Sequence, residues 1–559
     1  MRRSAVRWSL PAGVAAGVLA AWVYLPLPPR AGPATGVPAP GDVRLAYHIH
    51  TLRSDGTGSV EEVAAAARRA GLAAVVVTDH GDGTRQTDPP RYVDGVLVID
   101  GVEISTWGGH YTSIGAAASP YPLGGEPDAV AEDVRRLGGF GLAAHPGSNK
   151  EGLKWRDWDA PFDGLEWLNA DSEWRDRPAD VWRSLATYLF RPAETITALL
   201  NRPSFELAQW DRQAARRPVI GLAAHDAHAR MGLRGVGEPY DGVVALRVPS
   251  YEAMFKAFSN VVRIAHPLSG DAASDAAEVM AAVAAGQAYT VVTGLAPSGL
   301  VTFDAESGGL RASMGGHLVP SASVAVAFAA DVPAGAHVTL RCDGRVVATG
   351  AGGRIAWSTS GAAGACRAEV AVGADVPWLV TNPIYIRTVL STLAPRDVPA
   401  PQLVLPVDGS GVAAQWAVEL APGARGVASA VAGHPGRVSF AWQLGDGLGQ
   451  YAALRFDTPP SLALFDRVIL RGAADRPMRV WLQLRSPNGG GRRWGRSVYV
   501  DKAFGEIGIP FHDFLPLDSA GGGQVPIADV TALLVVVDTV HARPGASGTL
   551  VFDELWLAR

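Results

Sequence analysis

The chain has 559 residues and a formal net charge of -5, with 48% hydrophobic and 18% charged residues. This composition excludes a disordered or fibrous protein, and an acidic chain lacks the general attraction to nucleic acid that a basic surface provides. At about 150 residues per domain, the length predicts three to four domains. The 65 Gly and 40 Pro residues exceed average usage and indicate many turns.

The first segment predicts export. Arg2, Arg3 and Arg7 precede an apolar run over residues 8–27, close to the roughly 20 residues that cross a bilayer. We interpret residues 1–27 as a membrane anchor or signal segment and favour an uncleaved anchor, because no small-x-small cleavage site follows directly. A removed signal peptide and a buried core helix are the alternatives. The positive-inside rule then makes the protein extracytoplasmic, anchored to the cell membrane or secreted.

Cys342 and Cys366 are the only two cysteines, and both lie in one β-rich segment. In an oxidising compartment they would form one disulfide, although two separately buried thiols remain an alternative. No histidine cluster lies near them, so a zinc site there is not expected.

The chain divides into segments by composition and by the period of its apolar residues. Residues 28–42 are a Pro-, Gly- and Ala-rich linker, and residues 43–295 alternate short buried strands with helices, which predicts parallel strands in a barrel or an open sheet. Strands are predicted over 73–77, 95–100, 140–144 and 219–224, and helices over 60–70 and 129–137. Residues 296–390 predict a β-sandwich, 391–412 a second linker, and 413–559 another β-domain.

Eight of the 13 histidines fall between residues 48 and 266, and most follow a predicted strand beside an acidic residue. His48 and His50 are two positions apart, so in an extended segment their imidazoles point to one side. One such pair alone is weak evidence. Ligands in parallel α/β folds gather at the carboxyl ends of the strands, however, and five predicted strand ends here carry His, Asp or Glu. The pattern therefore predicts a shared metal site.

These motifs resemble those of the PHP (polymerase and histidinol phosphatase) metallohydrolases over residues 43–295. The matching segments are His48-Ile49-His50 with Ser54-Asp55-Gly56, Thr78-Asp79-His80, Gly101-Val102-Glu103, Ala144-His145-Pro146 and Asp226-Ala227-His228. The layout also resembles the carbaryl-hydrolase-like branch, in which a β-sandwich follows the barrel. The resemblance implies an α/β fold: a distorted (β/α)7 PHP barrel followed by an Ig-like β-sandwich and a β jelly roll.

The resemblance also implies a metal-ligand set and a mechanism. The set is His48, His50, Asp55, His80, Glu103, His110, His145, Asp226 and His228. His110 is identified only by its position after Glu103, which would bridge two metals. Glu103, Asp226 and His145 would carry the catalytic role. Mixed nitrogen and oxygen ligands suit two or three Mn, Fe or Zn ions, which would activate a hydroxide for attack on phosphorus or on a carbonyl carbon.

Other residues are candidates for the substrate or for support of the site. Lys150 and Arg230 follow ligand motifs and could hold a substrate anion, with solvated surface as the alternative. Glu166 and Asn169 end another predicted strand and could face the substrate. Asp79 could orient a ligand or form a plain turn. His225 is expected in the core or in support of the ligands.

Residues 413–559 resemble galactose-binding-like jelly rolls, as found in carbohydrate-binding modules. Trp494 is a candidate for stacking on a sugar ring, and a purely structural β-domain is the alternative.

The sequence therefore predicts an exported metal-dependent hydrolase, most simply a phosphoesterase, that acts on a small-molecule or glycan-linked ester and has no nucleic-acid partner. A carboxylic ester or carbamate hydrolase on the same metals is one alternative. A non-catalytic cell-surface or glycan-binding protein with structural metals is the other.

Overall fold

The computed structural model describes residues 13–14, 17–18, 27, 39, 41–175, 184, 187–232, 245–297, 299–321, 323–373, 375–391, 400–402, 404–406, 416–458, 462–487, 492–517 and 523–559. The chain forms two compact units. The first comprises Met1–Gly81, Thr87–Ala117 and Val134–Leu393. The second comprises Asp82–Gln86, Ala118–Asp133 and Ala394–Arg559.

The predicted anchor, residues 1–27, falls almost wholly outside the described residues. Within the part of the chain that the structure describes, no helix is long and apolar enough to cross a membrane.

The structure defines seven α-helices within its described residues. They are α1 (Val60–Arg69), α2 (Pro127–Arg136), α3 (Ala170–Arg175), α4 (Pro192–Leu199), α5 (Ser204–Ala214), α6 (Tyr251–Ala257) and α7 (Ala272–Ala284). Helix α1 shows why such a segment is helical. Ser59 accepts a hydrogen bond from the Glu62 backbone N–H while the Glu62 carboxylate accepts one from the Ser59 N–H, and this capping box satisfies two terminal donors.

The first half of the first unit supplies twelve strands. They are β1 (Asp42–Tyr47), β2 (Ala74–Val77), β3 (Arg91–Val93), β4 (Val96–Thr106), β5 (Gly109–Ile114), β6 (Phe140–Ala143), β7 (Gly164–Asn169), β8 (Ile220–Ala224), β9 (Met231–Gly232), β10 (Ala245–Leu246), β11 (Ser259–Arg263) and β12 (Ala288–Val291). The strand and helix predictions for this region are confirmed to within a few residues, except that β4 runs six residues beyond the predicted strand and turns into β5.

These strands, other than β9 and β10, belong to one mixed sheet in the order β12-β11-β1-β2-β4-β5-β6-β7-β8, with β3 paired to β4. Strands β1, β2 and β4 run parallel, as do β6, β7 and β8, whereas β5 is antiparallel to both of its neighbours. Just beyond the strand ends, Ile49 bridges Ala227, and the His225 backbone N–H donates to the Tyr47 carbonyl at 2.9 Å. The carboxyl ends of β1 and β8 are therefore joined.

The second half of the first unit is entirely β within its described residues. Its strands are β13 (Val301–Ser307), β14 (Leu310–Ser313), β15 (His317–Leu318), β16 (Ser323–Ala330), β17 (His337–Cys342), β18 (Arg345–Ala351), β19 (Arg354–Ser360), β20 (Gly364–Ala371), β21 (Leu379–Thr381) and β22 (Ile384–Ile386). Strand β21 pairs with β12, so the sheet of the first half continues into this segment and reaches 16 strands. Strands β14, β13, β16 and β19 form a separate sheet.

The predicted disulfide is confirmed. Cys342 and Cys366 face each other across the antiparallel pair β17 and β20, and their sulfurs are bonded. A large apolar cluster that includes Phe303, Phe328 and Trp378 packs between the strands of this segment.

The second unit contains two six-stranded antiparallel sheets. Its strands are β23 (Val404–Pro406), β24 (Trp416–Leu420), β25 (Arg425–Val431), β26 (His434–Gln443), β27 (Tyr451–Asp457), β28 (Arg467–Ala474), β29 (Met478–Arg485), β30 (Arg493–Val500), β31 (Gly505–Pro510), β32 (Leu515–Pro516), β33 (Ala532–Asp538) and β34 (Ser547–Ala558). One sheet has the order β25-β26-β34-β28-β31 with β23 on β34, and the other has the order β24-β27-β33-β29-β30-β32.

Trp494 is not the exposed stacking residue that the sequence predicts. It lies in β30 opposite Leu484 with only 4% of its surface exposed, and its indole N–H donates to the Gly523 carbonyl at 3.2 Å. Burial in the strand prevents the ring from meeting a ligand.

The protein is thus mostly β-sheet with few helices. The (β/α)7 arrangement implied by the resemblance and the domain boundaries stay predictions.

Candidate metal centre

The carboxyl ends of the central strands carry the histidine and carboxylate side chains. His48 and His50 follow β1, and His80 follows β2. Glu103 lies in β4 and His110 in the antiparallel β5. Across the sheet, His145 follows β6, while Asp226 and His228 follow β8. Parallel strands end at one edge of a sheet, so residues far apart in the chain arrive at the same place.

The structure brings these side chains into four overlapping groups whose ligand atoms all lie within 4.8 Å of one another. Each group contains only His, Asp and Glu. The groups are His50, Asp55, His80 and His228; His48, His50 and Asp226; His48, Glu103 and His145; and His80, Glu103 and His110. All nine predicted ligands belong to at least one group, including His110. These buried groups could hold a metal ion.

Glu103 lies at the centre of the arrangement. Its Oε1 is 2.7 Å from His110 Nδ1 and 2.8 Å from His145 Nε2. Its Oε2 lies 3.2 Å from each of three ring nitrogens, those of His48, His50 and His80. Nevertheless, Oε2 accepts no hydrogen bond of acceptable geometry from any described residue, although the side chain is buried.

This packing fits a metal ion. Ligand atoms about 2.1 Å from one cation are separated from each other by about 3.0 to 3.4 Å in octahedral or tetrahedral geometry. The three separations of 3.2 Å at Glu103 Oε2 fall in that range. The other carboxylates are similarly placed, since Asp226 Oδ1 lies 3.3 Å from His50 Nε2 and Asp55 Oδ2 lies 3.2 Å from His228 Nε2. The donor set therefore fits divalent cations that accept nitrogen and oxygen ligands.

The electrostatics of the cluster favour positive charge among the carboxylates. Burial would raise the pKa of Glu103, but the imidazoles of His48, His110 and His80 outweigh it and hold that pKa well below its ordinary value. Asp226 behaves in the same way. For His50, burial lowers the pKa, but the neighbouring carboxylates of Asp226 and Glu103 raise it to about 10. Buried carboxylates that are ionised require protonated imidazoles or bound cations beside them.

Backbone strain is concentrated at the same strand ends. His48, His145 and Asp226 have φ angles of 62°, 30° and 47°, in the left-handed region that non-glycine residues seldom adopt. Such strain persists only where the surrounding structure fixes it, and it is common at functional sites. Each of these residues is a predicted ligand, so the strain serves to aim a side chain into the cluster.

Glu166 and Asn169, the predicted substrate residues, contact the cluster from β7. Glu166 Oε1 lies 2.5 Å from His48 Nδ1, and Oε2 accepts from the His145 backbone N–H at 2.7 Å and from the Asn169 amide at 2.9 Å. The same Asn169 amide lies 3.3 Å from Asp226. Because Glu166 is fully buried and both of its oxygens are engaged, this geometry favours a role in orienting His48 over substrate contact.

Two further residues hold the loop that carries His50 and Asp55. Asp79 accepts hydrogen bonds from Thr51 and Ser54 at 2.5 to 2.7 Å, which favours support of the ligands over a plain turn. Tyr251 donates to the His50 carbonyl at 2.8 Å and accepts from the Gly58 N–H. The sequence did not indicate Tyr251, because it lies 201 positions after His50 outside any recognisable motif.

The remaining candidates lie outside the cluster. Lys150 is exposed and Arg230 is half-buried, and their substrate role stays a prediction. His225 is buried against Phe258 with ring centroids 4.1 Å apart, and burial lowers its pKa to about 4, which confirms the expected core position.

Comparison with known proteins does not identify a family for this chain. No protein-family model matches the chain, and no curated protein matches it. A solved family 11 carbohydrate-binding module from Clostridium thermocellum, in complex with a β-1,3-1,4-mixed-linked tetrasaccharide, is 17% identical and covers 28% of this chain and 95% of its own, with a TM-score of 0.24. TmCBM61 in complex with β-1,4-galactotriose is 14% identical, with coverage of 27% and 91% and a TM-score of 0.17. The agarase AgWH50C is 7% identical, with coverage of 28% and 25% and a TM-score of 0.22. TM-scores this low support no functional argument.

Proposed function

We propose that the protein is an exported metal-dependent hydrolase of the PHP type that cleaves a phosphoester. The observation that carries the proposal is the position of Glu103, whose two oxygens meet five imidazoles in a buried cluster. A structural metal site is usually closed by four ligands, whereas nine converging ligands suit several ions with open positions.

The proposed function assigns separate roles to the residues of the cluster and to those around it. The nine residues of the cluster would hold two or three Mn, Fe or Zn ions. Bound divalent cations lower the pKa of a coordinated water towards neutrality and neutralise charge on substrate oxygens. Glu103, Asp226 and His145 would meet the reacting centre, and Glu166 would keep His48 oriented. Lys150 and Arg230 are the proposed contacts for the substrate anion.

The multiply charged centre favours a phosphoester, because a phosphate group presents two or three anionic oxygens to several cations at once. The alternative is a carboxylic ester or carbamate hydrolase that uses the same residues. The two proposals differ only in the substrate that the protein hydrolyses.

A second candidate function is glycan binding through the second unit. A groove in that unit has an apolar floor of Leu534 and Val536 and is lined by Tyr451, Gln483 and Arg485. Planar hydrogen-bonding groups beside an apolar surface are a common arrangement in sugar sites. As a non-catalytic protein, the chain would bind glycans here and keep its metals for structure alone.

The proposed location is extracytoplasmic, with the N-terminal segment as anchor or export signal. The disulfide between Cys342 and Cys366 supports an oxidising compartment.

The test is hydrolysis by the purified chain after loading with Mn, Fe or Zn, against phosphomonoesters, phosphodiesters and aryl esters. We expect phosphoester turnover that a chelator abolishes and that Glu103→Gln reduces by at least about 100-fold. Glu126→Gln is the matched control, because Glu126 is also a fully buried glutamate but lies in the second unit.

Turnover of aryl esters alone would replace the phosphoesterase by the esterase alternative. Metal binding without turnover of any substrate would overturn the enzymatic proposal, and binding of soluble glycans by the same sample would then support the second candidate. If Glu103→Gln fails to fold, Asp226→Asn provides the same comparison.

A further inference from the structure

A groove in the first unit, here called the arginine groove, is lined mainly by arginine side chains. It has a volume of about 620 Å³, and its lining residues come from α5 and the loop before it and from the strands β17, β18 and β20. The arginines that line it are Arg202, Arg212, Arg341, Arg345 and Arg367. Asp211 and Asp343 are its only acidic lining residues within the described chain, so positive charge predominates. None of the nine predicted metal ligands lines it.

One wall of the arginine groove is a tight hairpin turn that packs against α5. Cys342 at the end of β17 pairs with Arg345 at the start of β18, and the turn residues Asp343 and Gly344 have φ angles of 45° and 77°. A type I′ turn requires positive φ angles at both of these positions. A Cβ on Gly344 would lie 3.2 Å from the Cβ of Asp211 in α5. The turn therefore fixes the point at which Arg345 meets the groove.

Two carboxylates beside the arginine groove are already paired with arginine side chains. Asp211 accepts two hydrogen bonds from the guanidinium of the buried Arg367, at 2.7 and 2.8 Å. The buried Glu369 accepts from Arg367 at 2.5 Å and from Arg202 at 2.7 Å. Its Oε1 also lies 3.2 Å from Arg341 Nε, which forms no hydrogen bond of acceptable geometry with any described residue. One glutamate is thus shared among three arginines.

Several guanidinium groups of the arginine groove keep N–H donors for a ligand. Arg345 is exposed, and its side chain forms no hydrogen bond or ion pair with the part of the chain that the structure describes. Arg212 is also exposed, and its described hydrogen bond uses Nε alone, which donates to the Gln209 side chain at 3.2 Å. Arg202 contacts Glu369 through one terminal nitrogen, and 36% of its side chain is exposed. These N–H groups can donate to the oxygens of an anion.

The positive charge extends along the length of α5. Arg202 precedes the helix, and Arg212 lies in its last turn. Ser204 and Arg212 are separated by about 12 Å along the helix axis, at a rise of about 1.5 Å per residue. A single tetrahedral anion is much shorter than this, so the spacing suits several anionic groups in a row. No described lining residue is aromatic, whereas single-stranded nucleic acids are commonly bound by stacking of their bases on aromatic rings.

We propose that the arginine groove is a non-catalytic binding site for a linear oligophosphate, in which phosphate groups are linked directly to one another. Each phosphate presents anionic oxygens that accept the paired N–H donors of a guanidinium group. A chain of them carries enough negative charge to compete with the two lining aspartates. The inference is independent of the proposed function, since the groove and the candidate metal centre share no residue.

The experiment measures fluorescence anisotropy of a labelled short-chain inorganic polyphosphate with the metal-loaded full chain. The probe is kept at trace concentration so that it does not remove metal from the protein. We expect Arg212→Gln combined with Arg345→Gln to weaken binding by about 10-fold or more, because two charge-assisted contacts are lost. The slope of log K against log salt concentration should also decrease in magnitude, by about one to two.

The matched control combines Arg354→Gln with Arg425→Gln. It removes the same charge from two exposed arginines that do not line the arginine groove. We expect this variant to bind the probe within about twofold of wild type, because charges far from the ligand are screened by salt. All four substituted side chains are exposed, so both double variants should fold, and circular dichroism checks that they do.

Orthophosphate, oligothymidylate and polygalacturonate are then tested as competitors at equal total charge, and we expect none of them to displace the probe as well as unlabelled polyphosphate. Equal displacement by any of the three would overturn the assignment of a linear oligophosphate. Equal loss of binding in the two double variants, or no binding by wild type at physiological salt, would overturn the site itself.

Glu103→Gln separates the arginine groove from the candidate metal centre. We expect this variant to bind the probe as wild type does. Binding that is lost in Glu103→Gln and kept in the Arg212 and Arg345 double variant would place the probe at the metal centre and overturn the inference. Absence of phosphoester turnover, by contrast, would contradict the proposed function and leave the arginine groove standing.

Discussion

Glu166 is a single side chain that orients two residues of the cluster, His48 and His145. It contacts the ring nitrogen of His48 that faces away from Glu103, at 2.5 Å, and so fixes which nitrogen is free for a metal. The same buried carboxylate also accepts a hydrogen bond from the His145 backbone N–H and so holds the backbone that carries His145.

We predict that Glu166→Gln weakens metal binding by about 10-fold or more, because the neutral amide holds the His48 N–H less firmly. Competition with a chromophoric chelator measures the affinity, and Glu126→Gln serves as the control with an equally buried glutamate. If Glu166 contacts substrate instead, metal affinity will be unchanged and KM will rise, which would contradict the positioning role.

The nine candidate ligands could be named from sequence because short motifs, such as His48-Ile49-His50 and Asp226-Ala227-His228, resemble the motif series of the PHP metallohydrolases. The supporting residues could not. Tyr251 acts through its hydroxyl on a backbone carbonyl, and nothing in its local sequence distinguishes it from a core tyrosine. The role of Glu166 likewise depends on the position of β7 between β6 and β8 in the sheet.

At the scale of the elements, the parallel strands were predictable and the hairpin was not. Short apolar runs such as β2 and β8 identify buried parallel strands. Strand β4 continues through Glu103 and Thr106 into β5, where polar residues occupy buried positions. A prediction from apolar runs ends the strand at residue 100, because buried polar side chains such as Glu103 and Thr106 interrupt the apolar pattern beyond that point.

Strand β8 packs closely against Trp210 at Gly221, where only a residue without a side chain fits. A Cβ on Gly221 would lie 2.3 Å from the ring of Trp210, a fully buried residue of α5. We predict that Gly221→Ala lowers the free energy of unfolding by about 1 to 3 kcal/mol through overpacking. Because β8 leads directly to Asp226 and His228, metal affinity should fall with it.

Thermal unfolding with and without added metal measures both effects. Gly152→Ala is the control, since a Cβ at that position meets nothing within 4 Å. An unfolding temperature for Gly221→Ala equal to that of the control would show that β8 tolerates the added methyl group.

At the scale of the whole molecule, the sequence predicted the β-rich composition of the C-terminal segments and a linker over 391–412, while the structure divides into two units near residue 393. The pairing of β12 with β21 could not be predicted. These strands are about 90 residues apart, and strand pairing over such a separation leaves no local pattern.

The second unit contains a buried ring that should control its acid stability. Burial, together with the charge of Arg479, lowers the pKa of His541 to about 3. The unfolded chain has the ordinary pKa of about 6.5 and so binds more protons than the folded chain between these values. The contribution of His541 to the stability of this unit should therefore fall as pH decreases from 7, by about 2 kcal/mol at pH 5.

His541→Phe keeps a ring beside Trp481 but cannot titrate, so the variant should lose this part of the pH dependence. Denaturant titration followed by hydrogen exchange of peptides from residues 529–545 measures it at pH 7 and pH 5. An identical pH dependence in wild type and variant would exclude His541 as the cause.

The proposed function requires that Glu103 and the surrounding histidines and carboxylates form a multinuclear metal centre. Elemental analysis of the purified chain after metal loading and exhaustive dialysis tests it most directly. We expect about two to three retained Mn, Fe or Zn ions per chain in wild type, and a loss of at least one ion in Glu103→Gln. Fewer than about half an ion per chain in the folded wild-type protein, or the same stoichiometry in both proteins, would contradict it.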